Sequence, residues 1–320
     1  MRSDNFRTKF IINPYSANGS TREAWSRIQE ILRRDLEKID FSFTVAADHA
    51  TTLSRQALHK GYEMIVAVGG DGTVNEVING FFESGSLINP NAVLGMVPRG
   101  TGCDFVKTLG ISRDTAAVSK ILCGRTVKKC DVGHFTCSDG RGGNLERYFI
   151  NIADFGIGGE TVERVNRTTK VFGGFVSFLY GAVSTLLTYK SKRVKVQVDE
   201  TFAEEMLINN VVIANGQYFG GGMWVAPKAR VDDGLFDILI IKHTSRIQSL
   251  TSIPKLYKGT HVNHPSVTYM RGKTVTAESS DVVLLDVEGE QVGRLPARFD
   301  IVPAAINVKI GEDHERLRIS

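Results

Sequence analysis

The sequence predicts an α/β domain followed by a β domain: a doubly wound, Rossmann-like parallel sheet, then a β-sandwich. Three observations predict it. Apolar runs at 9–12, 41–46, 64–68 and 92–97 alternate with stretches of helical spacing. Strand and helix in strict alternation imply a parallel sheet wound by right-handed crossovers. Beyond about residue 130, short strand-like runs separated by turn signals take over, the pattern of a sandwich or barrel. Finally, the run at 64–68 passes straight into Gly69-Gly70-Asp71-Gly72-Thr73 and then into helical spacing, with no linker.

The elements follow in order. Residues 21–39 place Trp25, Ile28, Ile31, Leu32, Leu36 and Ile39 on one helical face, behind a Ser20-x-x-Glu23 capping box. Parallel sheets bind ligands beyond the carboxyl ends of their strands. Here those ends carry NPYSANGS, the tail of FSFTVAAD, GGDGT and PRGTGCDF. The first domain spans 1–132, and the segment 303–320 is expected to join it; the second spans 133–302. In that second domain CDVGHFTC and ERYFINIADFG flank the turn-rich SDGRGGN as hairpin strands. Strands are expected at RVKVQVD, MLINNVVIANG, LFDILIIK, TVTAES, DVVLLDVEG, RFDIVP and AINVKI. Asp232-Asp233-Gly234 reads as a hairpin turn between strands. The single long interruption, roughly 158–189, has helical spacing. Within it, residues 171–189 carry no charge and are flanked by Lys170, Lys190, Lys192 and Arg193. That length nears the ~20 residues that cross a bilayer. Gly173, Gly174, Gly181, Ser177, Ser184, Thr185 and Thr188 dilute its apolarity, so a buried or groove-lining helix is the expectation.

With 42% apolar and 23% charged residues in 320, the chain has an ordinary globular composition. A net charge of +4 favours anionic partners such as nucleotides or acidic lipid surfaces and does not call for nucleic acid. Cys103, Cys123, Cys130 and Cys137 form no C-x-x-C pair and, with His134, no zinc spacing. Reduced thiols in a cytoplasmic protein are the expectation. MRSDNFRTKF lacks the apolar core of an export signal.

Glycine has no Cβ and tolerates positive φ, so Gly69 and Gly70 at a strand end let backbone amides approach a bulky anion. The helix that follows aims its free N–H groups at the same place, which reads as a phosphate site; by itself Gly-Asp-Gly is also ordinary turn chemistry, a strand-to-helix connection with no ligand. Asp71 repels phosphate unless a cation intervenes. Either Mg²⁺ bridges it to a nucleotide, directly or through water, or its carboxylate pins the turn. The first is favoured because phosphoryl transfer needs that charge neutralised. There is no G-x-G-x-x-G. The Gly272-Lys273-Thr274 triplet has Val267 where a Walker A loop needs glycine.

GGDGTVNEVINGF, preceded by FIINPYSANGS and followed by GMVPRGTGCDFVKTLGI, resembles the catalytic domain of the diacylglycerol kinase and sphingosine kinase superfamily, in its soluble bacterial lipid kinase form. The likeness continues through CDVG, YFINIADFGIGGE, VVIANGQYFGGGMWVAPKARVDDGLFDILII and DVEGEQVGRLPARFDIVP, nearly the whole chain in order. The GGDGT loop is shared with NAD kinases; the ordered set is not. The resemblance implies an NAD kinase-like first domain, ATP as phosphate donor, Mg²⁺, and a lipid hydroxyl as acceptor. Matching motifs put nucleotide contacts on Asn13, Pro14, Ser16, Thr44, Gly69, Gly70, Asp71, Gly72, Thr73, Val74, Asn75 and Thr101. Arg99 reads either as a further phosphate contact or as a solvent-facing arginine, and Asp104 matches an acid that helps set the metal. The resemblance also implies a structural Mg²⁺ on the Asp233 side chain, with backbone oxygens near Arg230 and Leu235. The general base that deprotonates the attacking alcohol falls on Glu288, with Glu290 as substitute and Asp71 as the second catalytic acid.

Two positions depart from the pattern. Cys103 stands where the family has asparagine, and Glu288 where its D-G-E has aspartate. The acceptor end is carried by the helix at 171–189 and by Tyr218, Phe219, Met223 and Trp224, read as an apolar groove or as core. Lys190, Lys192 and Arg193 suit anionic headgroups, so a peripheral, transient contact with a membrane is expected. Two alternatives stand beside the lipid kinase: a soluble kinase of NAD kinase type, and a nucleotide-binding relative without catalysis. The sequence leaves the acceptor lipid open among diacylglycerol, sphingoid base, ceramide and phosphatidylglycerol. It also leaves the oligomeric state open, a dimer included.

Overall fold

The computed structural model describes residues 6–167, 181 and 183–312. The chain forms two compact units: unit 1, Met1–Cys130 with Ala304–Ser320, and unit 2, Asp131–Pro303.

Unit 1 runs β1 (Thr8–Ile12), α1 (Ser20–Leu32), β2 (Asp40–Phe43), α2 (His49–His59), β3 (Met64–Gly69) and α3 (Asp71–Asn79). It continues with the small hairpin β4 (Phe82–Glu83) and β5 (Ser86–Leu87), then β6 (Val93–Pro98), α4 (Asp104–Thr108) and α5 (Thr115–Cys123). β1 pairs in parallel with β2 and β3, and β3 in parallel with β6. The returning chain at Asn307–Val308 adds a parallel partner to β6. All six residues of β3 and of β6 are buried, as apolar strands covered on both faces must be. β2, half-exposed throughout, forms the edge. Trp25 packs between Phe10 and Phe41, with ring centroids 6.1 and 5.3 Å away.

The expected capping box does not form. α1 is preceded by Gly19 at φ +86°, and Ser20 lies inside the helix, where its hydroxyl donates to the Ala17 carbonyl. The helix stops at Leu32 instead of continuing to 39, because Leu36 and Ile39 are only half-buried and no packing holds another turn.

Unit 2 contains most of β7 (Val127–Ser138), then β8 (Asn144–Phe149), β9 (Ile152–Gly156), α6 (Ile157–Arg167), β10 (Lys192–Val198) and β11 (Phe202–Ala214). There follow β12 (Tyr218–Phe219), β13 (Met223–Trp224), β14 (Phe236–Lys242), α7 (Arg246–Lys258), β15 (Val267–Gly272), β16 (Thr274–Glu278), β17 (Leu284–Val287) and β18 (Glu290–Lys309), whose last residues belong to unit 1. β11, β10, β16, β18, β17 and β9 pair antiparallel in that order, and β9 pairs back to β11. The strands therefore close into a hydrogen-bonded ring in place of two separate sheets. Closure is possible because β11 is thirteen residues long: its first half pairs with β10 and its second with β9. Inside lie Phe135, Phe149, Phe155, Phe236 and Phe299, all fully buried, with Phe149 stacked on Phe236 at 5.7 Å. Each such side chain contributes about 1.5–3 kcal/mol on burial.

Two expectations change here. The segment carrying Asp232-Asp233-Gly234 is an irregular turn, since no strand spans 225–235, and only β14 follows it. The 158–189 stretch is not the only long helical interruption, because α7 is a second. Its Ser245 and Gln248 form a true capping box, and the interior Pro254 together with the absence of fully buried residues masks its pattern. Of 158–189, α6 and residues 183–188 are helical; the charge-free run at 171–189 lies largely outside the described residues. Among the described residues no helix is long and apolar enough to cross a membrane.

Candidate functional site

In unit 1 the carboxyl ends of β1, β3 and β6 converge. The chain leaves β3 through Gly70, whose extended backbone caps α3. A Cβ on Gly69 would lie 2.3 Å from the Thr73 hydroxyl, and one on Gly100 would lie 2.5 Å from the Gly70 α-carbon. Bare backbone is therefore required on both sides, and the two loops touch main chain to main chain. Arg99 N–H donates to the Gly69 carbonyl at 2.7 Å and fixes that contact.

The predicted residues divide by task. Asn13 donates through Nδ2 to Thr73 Oγ1 at 3.1 Å, tying the end of β1 to the start of α3. Its Oδ1 accepts the Tyr15 N–H, and Ser16 Oγ donates to the Asn13 carbonyl and pairs with Thr21. Pro14 is buried beneath this turn. Thr44 is buried and bound through its N–H to the Ile12 carbonyl. Gly72, Val74 and Asn75 lie in the first turns of α3; Asn75 Oδ1 is buried with no hydrogen-bond partner among the described residues. Thr101 is exposed on the second loop.

Asp71 Oδ1 accepts the Phe105 N–H at 3.1 Å, so one oxygen anchors the start of α4. Its Oδ2 and Asp104 Oδ2 both lie 3.2 Å from where Gly102 would carry a Cβ. Two carboxylates thus flank Gly102, with Asp104 itself buried. This pair fits a magnesium ion, which is commonly bound by one or two carboxylates plus substrate phosphates.

Cys103 sits at φ +51°, a left-handed backbone that asparagine adopts far more readily than cysteine. Its thiol donates to the Gly100 carbonyl at 3.6 Å, and burial raises its pKa. Arg113 completes the loop: its guanidinium donates to the carbonyls of Gly100, Thr101 and Gly102 at 2.6, 3.3 and 3.3 Å. Sequence reasoning missed it, since one arginine after a glycine loop gives no distinguishing signal.

In unit 2, Glu288 and Gly289 join β17 to β18 with φ of +58° and +82°, the tight hairpin turn in which both central residues are left-handed. Glu288 Oε1 accepts the N–H groups of Ile150 and Asn151 at 2.9 and 2.7 Å, and the Glu288 N–H donates to the Ile152 carbonyl. The carboxylate is therefore held in place. Asn215 braces the same corner through the carbonyls of Ile150 and Asp131. Glu290 lies 3.8 Å from Arg147 on the exposed side of the turn.

Asp154 of β9 and Asp286 of β17 stand opposite each other in register, and both are buried. Burial, then the facing Asp286 carboxylate, holds Asp154 well above the usual carboxylate range; burial pushes Asp286 up to about 7. The readable signal was an acid inside each of two apolar strand runs, NIADFG and LLDVEG. Asp286 lines an apolar cavity of about 180 Å³ together with Ile157, Val162, Leu186, Phe219 and Leu256. Of the residues expected at the acceptor end, Phe219 and Met223 reach this cavity. Tyr218 and Trp224 stack on each other at 5.8 Å.

The expected metal residues Arg230, Asp233 and Leu235 come together, but as an ion-pair cluster. Asp233 accepts the Arg271 guanidinium on Oδ2 and the Leu235 N–H on Oδ1, and the Arg230 side chain points at Asp232 and Asp233. Among the described residues no group of three or more His, Cys, Asp or Glu could hold a metal ion.

A bare strand-end turn flanked by two acids, in the same chain as a closed β unit carrying a fixed carboxylate, is an arrangement that could hold a nucleotide's phosphates and a cation and is compatible with a phosphotransferase. Residues 7–135 match the diacylglycerol kinase catalytic domain and residues 151–310 the YegS C-terminal NAD kinase beta sandwich-like domain. The chain is 31% identical to a diacylglycerol kinase of Staphylococcus carnosus, covering 92% of this chain and 91% of that one. It is 26% identical to a diacylglycerol kinase of Bacillus subtilis, with 92% of each covered. A crystal structure of a diacylglycerol kinase from Bacillus anthracis superposes with a TM-score of 0.70 at 21% identity, over 96% of this chain and 98% of that one. An NAD kinase from Archaeoglobus fulgidus in complex with ATP superposes with a TM-score of 0.51 at 12% identity, over 98% and 97%. The chain belongs to the diacylglycerol kinase family, and it is a lipid kinase.

Proposed function

We propose that the chain transfers the γ-phosphate of ATP, with Mg²⁺, to the free hydroxyl of diacylglycerol at a membrane surface. The observation that carries this reading is the cradle of unit 1: the Gly69–Thr73 turn pressed against Gly100, with Asp71 and Asp104 beside it. Unit 1 is read as a doubly wound nucleotide-binding domain, with the triphosphate on the amides that open α3. Mg²⁺ would be held by Asp71 and Asp104, and when bound it neutralises the charge that develops on the transferring group. Asp71 then has two tasks, one oxygen on α4 and one toward the cation.

In unit 2, Glu288 is the general base, held by two backbone N–H groups. The apolar cavity that Asp286 helps line would receive part of an acyl chain. Beside it, exposed Leu207 lines a surface depression with Lys190 and Arg246, and Leu187 and Ile247 are exposed close to these in sequence, a mixture suited to an anionic bilayer. The chain is accordingly read as cytoplasmic and peripheral to the membrane.

The experiment uses the purified chain with Mg²⁺, ATP labelled on its γ-phosphate, and phospholipid vesicles containing diacylglycerol. Label moving into the organic extract is expected. Label remaining in the aqueous phase with added NAD as acceptor would reject the lipid reading in favour of a soluble NAD kinase type. Label in the organic extract only when another lipid replaces diacylglycerol would retain the class and change the acceptor.

A further inference from the structure

The turn between β13 and β14 gathers an unusual density of charge. Asp232, Asp233 and Asp237 lie within six residues, and Asp237 is fully buried. Resemblance assigns a structural divalent ion to Asp233. A hard dication asks for about six oxygen ligands, with the carboxylate as the anionic one. Both Asp233 oxygens are already engaged: Oδ1 accepts the Leu235 N–H at 3.3 Å, and Oδ2 accepts the Arg271 guanidinium, so a positive charge already stands beside the carboxylate where a dication would have to bind.

Arg271 does not arrive by chance. It lies on β15 directly opposite Asp237 of β14 in the antiparallel register. From there its Nη2 reaches Asp233 while its Nε stays 3.7 Å from Asp237 Oδ2. The other Asp237 oxygen accepts the Tyr269 hydroxyl at 2.7 Å. The guanidinium therefore hydrogen-bonds the turn at Asp233 and attracts the buried Asp237 Oδ2 by charge alone, that oxygen having no hydrogen-bond partner among the described residues; Arg230 adds a second positive charge 3.9 Å from Asp233. A guanidinium suits this place because it is always charged and its spread of donors lets one side chain bind Asp233 while its charge faces Asp237.

We propose that Arg271 takes the place of the structural divalent cation in this chain. By bridging Asp233 and Asp237 it holds residues 230–237 in shape, so unit 2 folds and stays folded without a metal ion. Arg271 is a positioning residue for that turn and takes no part in phosphoryl transfer.

The test is thermal unfolding of the full chain without nucleotide, in chelator and then in millimolar Mg²⁺ or Ca²⁺. The wild-type Tm is expected to show no metal-dependent rise that Asp233→Asn removes. Arg271→Gln is expected to lower the Tm in chelator by about 4–10 °C. Either ion should restore part of that loss, because the substitution frees the Asp233 and Asp237 oxygens for it. A wild-type rise in Mg²⁺ or Ca²⁺ that Asp233→Asn abolishes would overturn the proposal. So would an Arg271→Gln Tm equal to wild type in chelator, or a loss that neither ion restores. If Arg271→Gln does not fold, Arg271→Lys, which keeps the charge without the fork, carries the same comparison.

Discussion

Glu288 is asked to do two things, and its substitutions separate them. Two backbone N–H groups donate to Oε1, at 2.9 Å from Ile150 and 2.7 Å from Asn151. A hydrogen bond to a charged group is worth about 1.5–3 kcal/mol, and for a half-buried carboxylate the lower end applies. Glu288→Ala removes both and should cost about 2–4 kcal/mol. That corresponds to a Tm lower by roughly 4–16 °C. Glu288→Gln keeps an amide oxygen in the same place, so both bonds survive without charge assistance, and the Tm should fall by no more than about 4 °C. Loss of a general base lowers kcat by about 10²–10⁴ in either variant. The assay is differential scanning fluorimetry beside initial rates of lipid phosphorylation at saturating MgATP. A glutamine variant that folds like wild type and keeps more than a tenth of its kcat would refute the assignment of the base. An alanine variant with an unchanged Tm would refute the tether.

The Asp154–Asp286 pair makes stability fall with rising pH. The folded pKa of Asp286, about 7, lies above the ordinary 3.8, so between those values the folded chain keeps a proton that the unfolded chain has lost. The contribution is complete below pH 3.8 and disappears as pH rises through about 7, at about 1.4 kcal/mol per pH unit for each such group. Asp286→Asn should flatten the Tm profile across this window and raise the Tm at pH 8; an unchanged slope would contradict it. Gly100→Ala drives a Cβ to 2.5 Å from the Gly70 α-carbon, where no side chain can yield. Overpacking of about 1–3 kcal/mol and at least a tenfold weaker MgATP affinity by calorimetry should result. Cys103→Asn puts a residue tolerant of φ +51° in the loop and should raise the Tm by about 1–3 °C; a lower Tm would show that the thiol contact to Gly100 outweighs the backbone preference.

The parts of this fold that could be read from sequence are those where one period rules. β3 and β6 are continuous apolar runs ending in glycine loops, and the contacts they imply are local, so Asn13, Gly69–Thr73 and the Gly100 loop could be placed together. What could not be read depends on non-local pairing. The closure of unit 2 turns on β11 exchanging β10 for β9 along its length, and nothing in FAEEMLINNVVIA marks the exchange. The end of α1 was overextended because Leu36 and Ile39 keep the period although no neighbour buries them. Asp154 and Asp286 lie far apart in sequence, and only the strand register joins them. Arg271 likewise becomes informative only when β15 is laid beside β14.

The most direct measurement is a calorimetric titration of the purified chain with MgATP, repeated with Gly100→Ala. Saturable heat at a stoichiometry of one nucleotide per chain, largely lost in the variant, is the predicted result, because the proposed function puts the phosphates on the turn that Gly100 presses against. No heat from MgATP at millimolar concentration, or an isotherm that the substitution leaves unchanged, would contradict it.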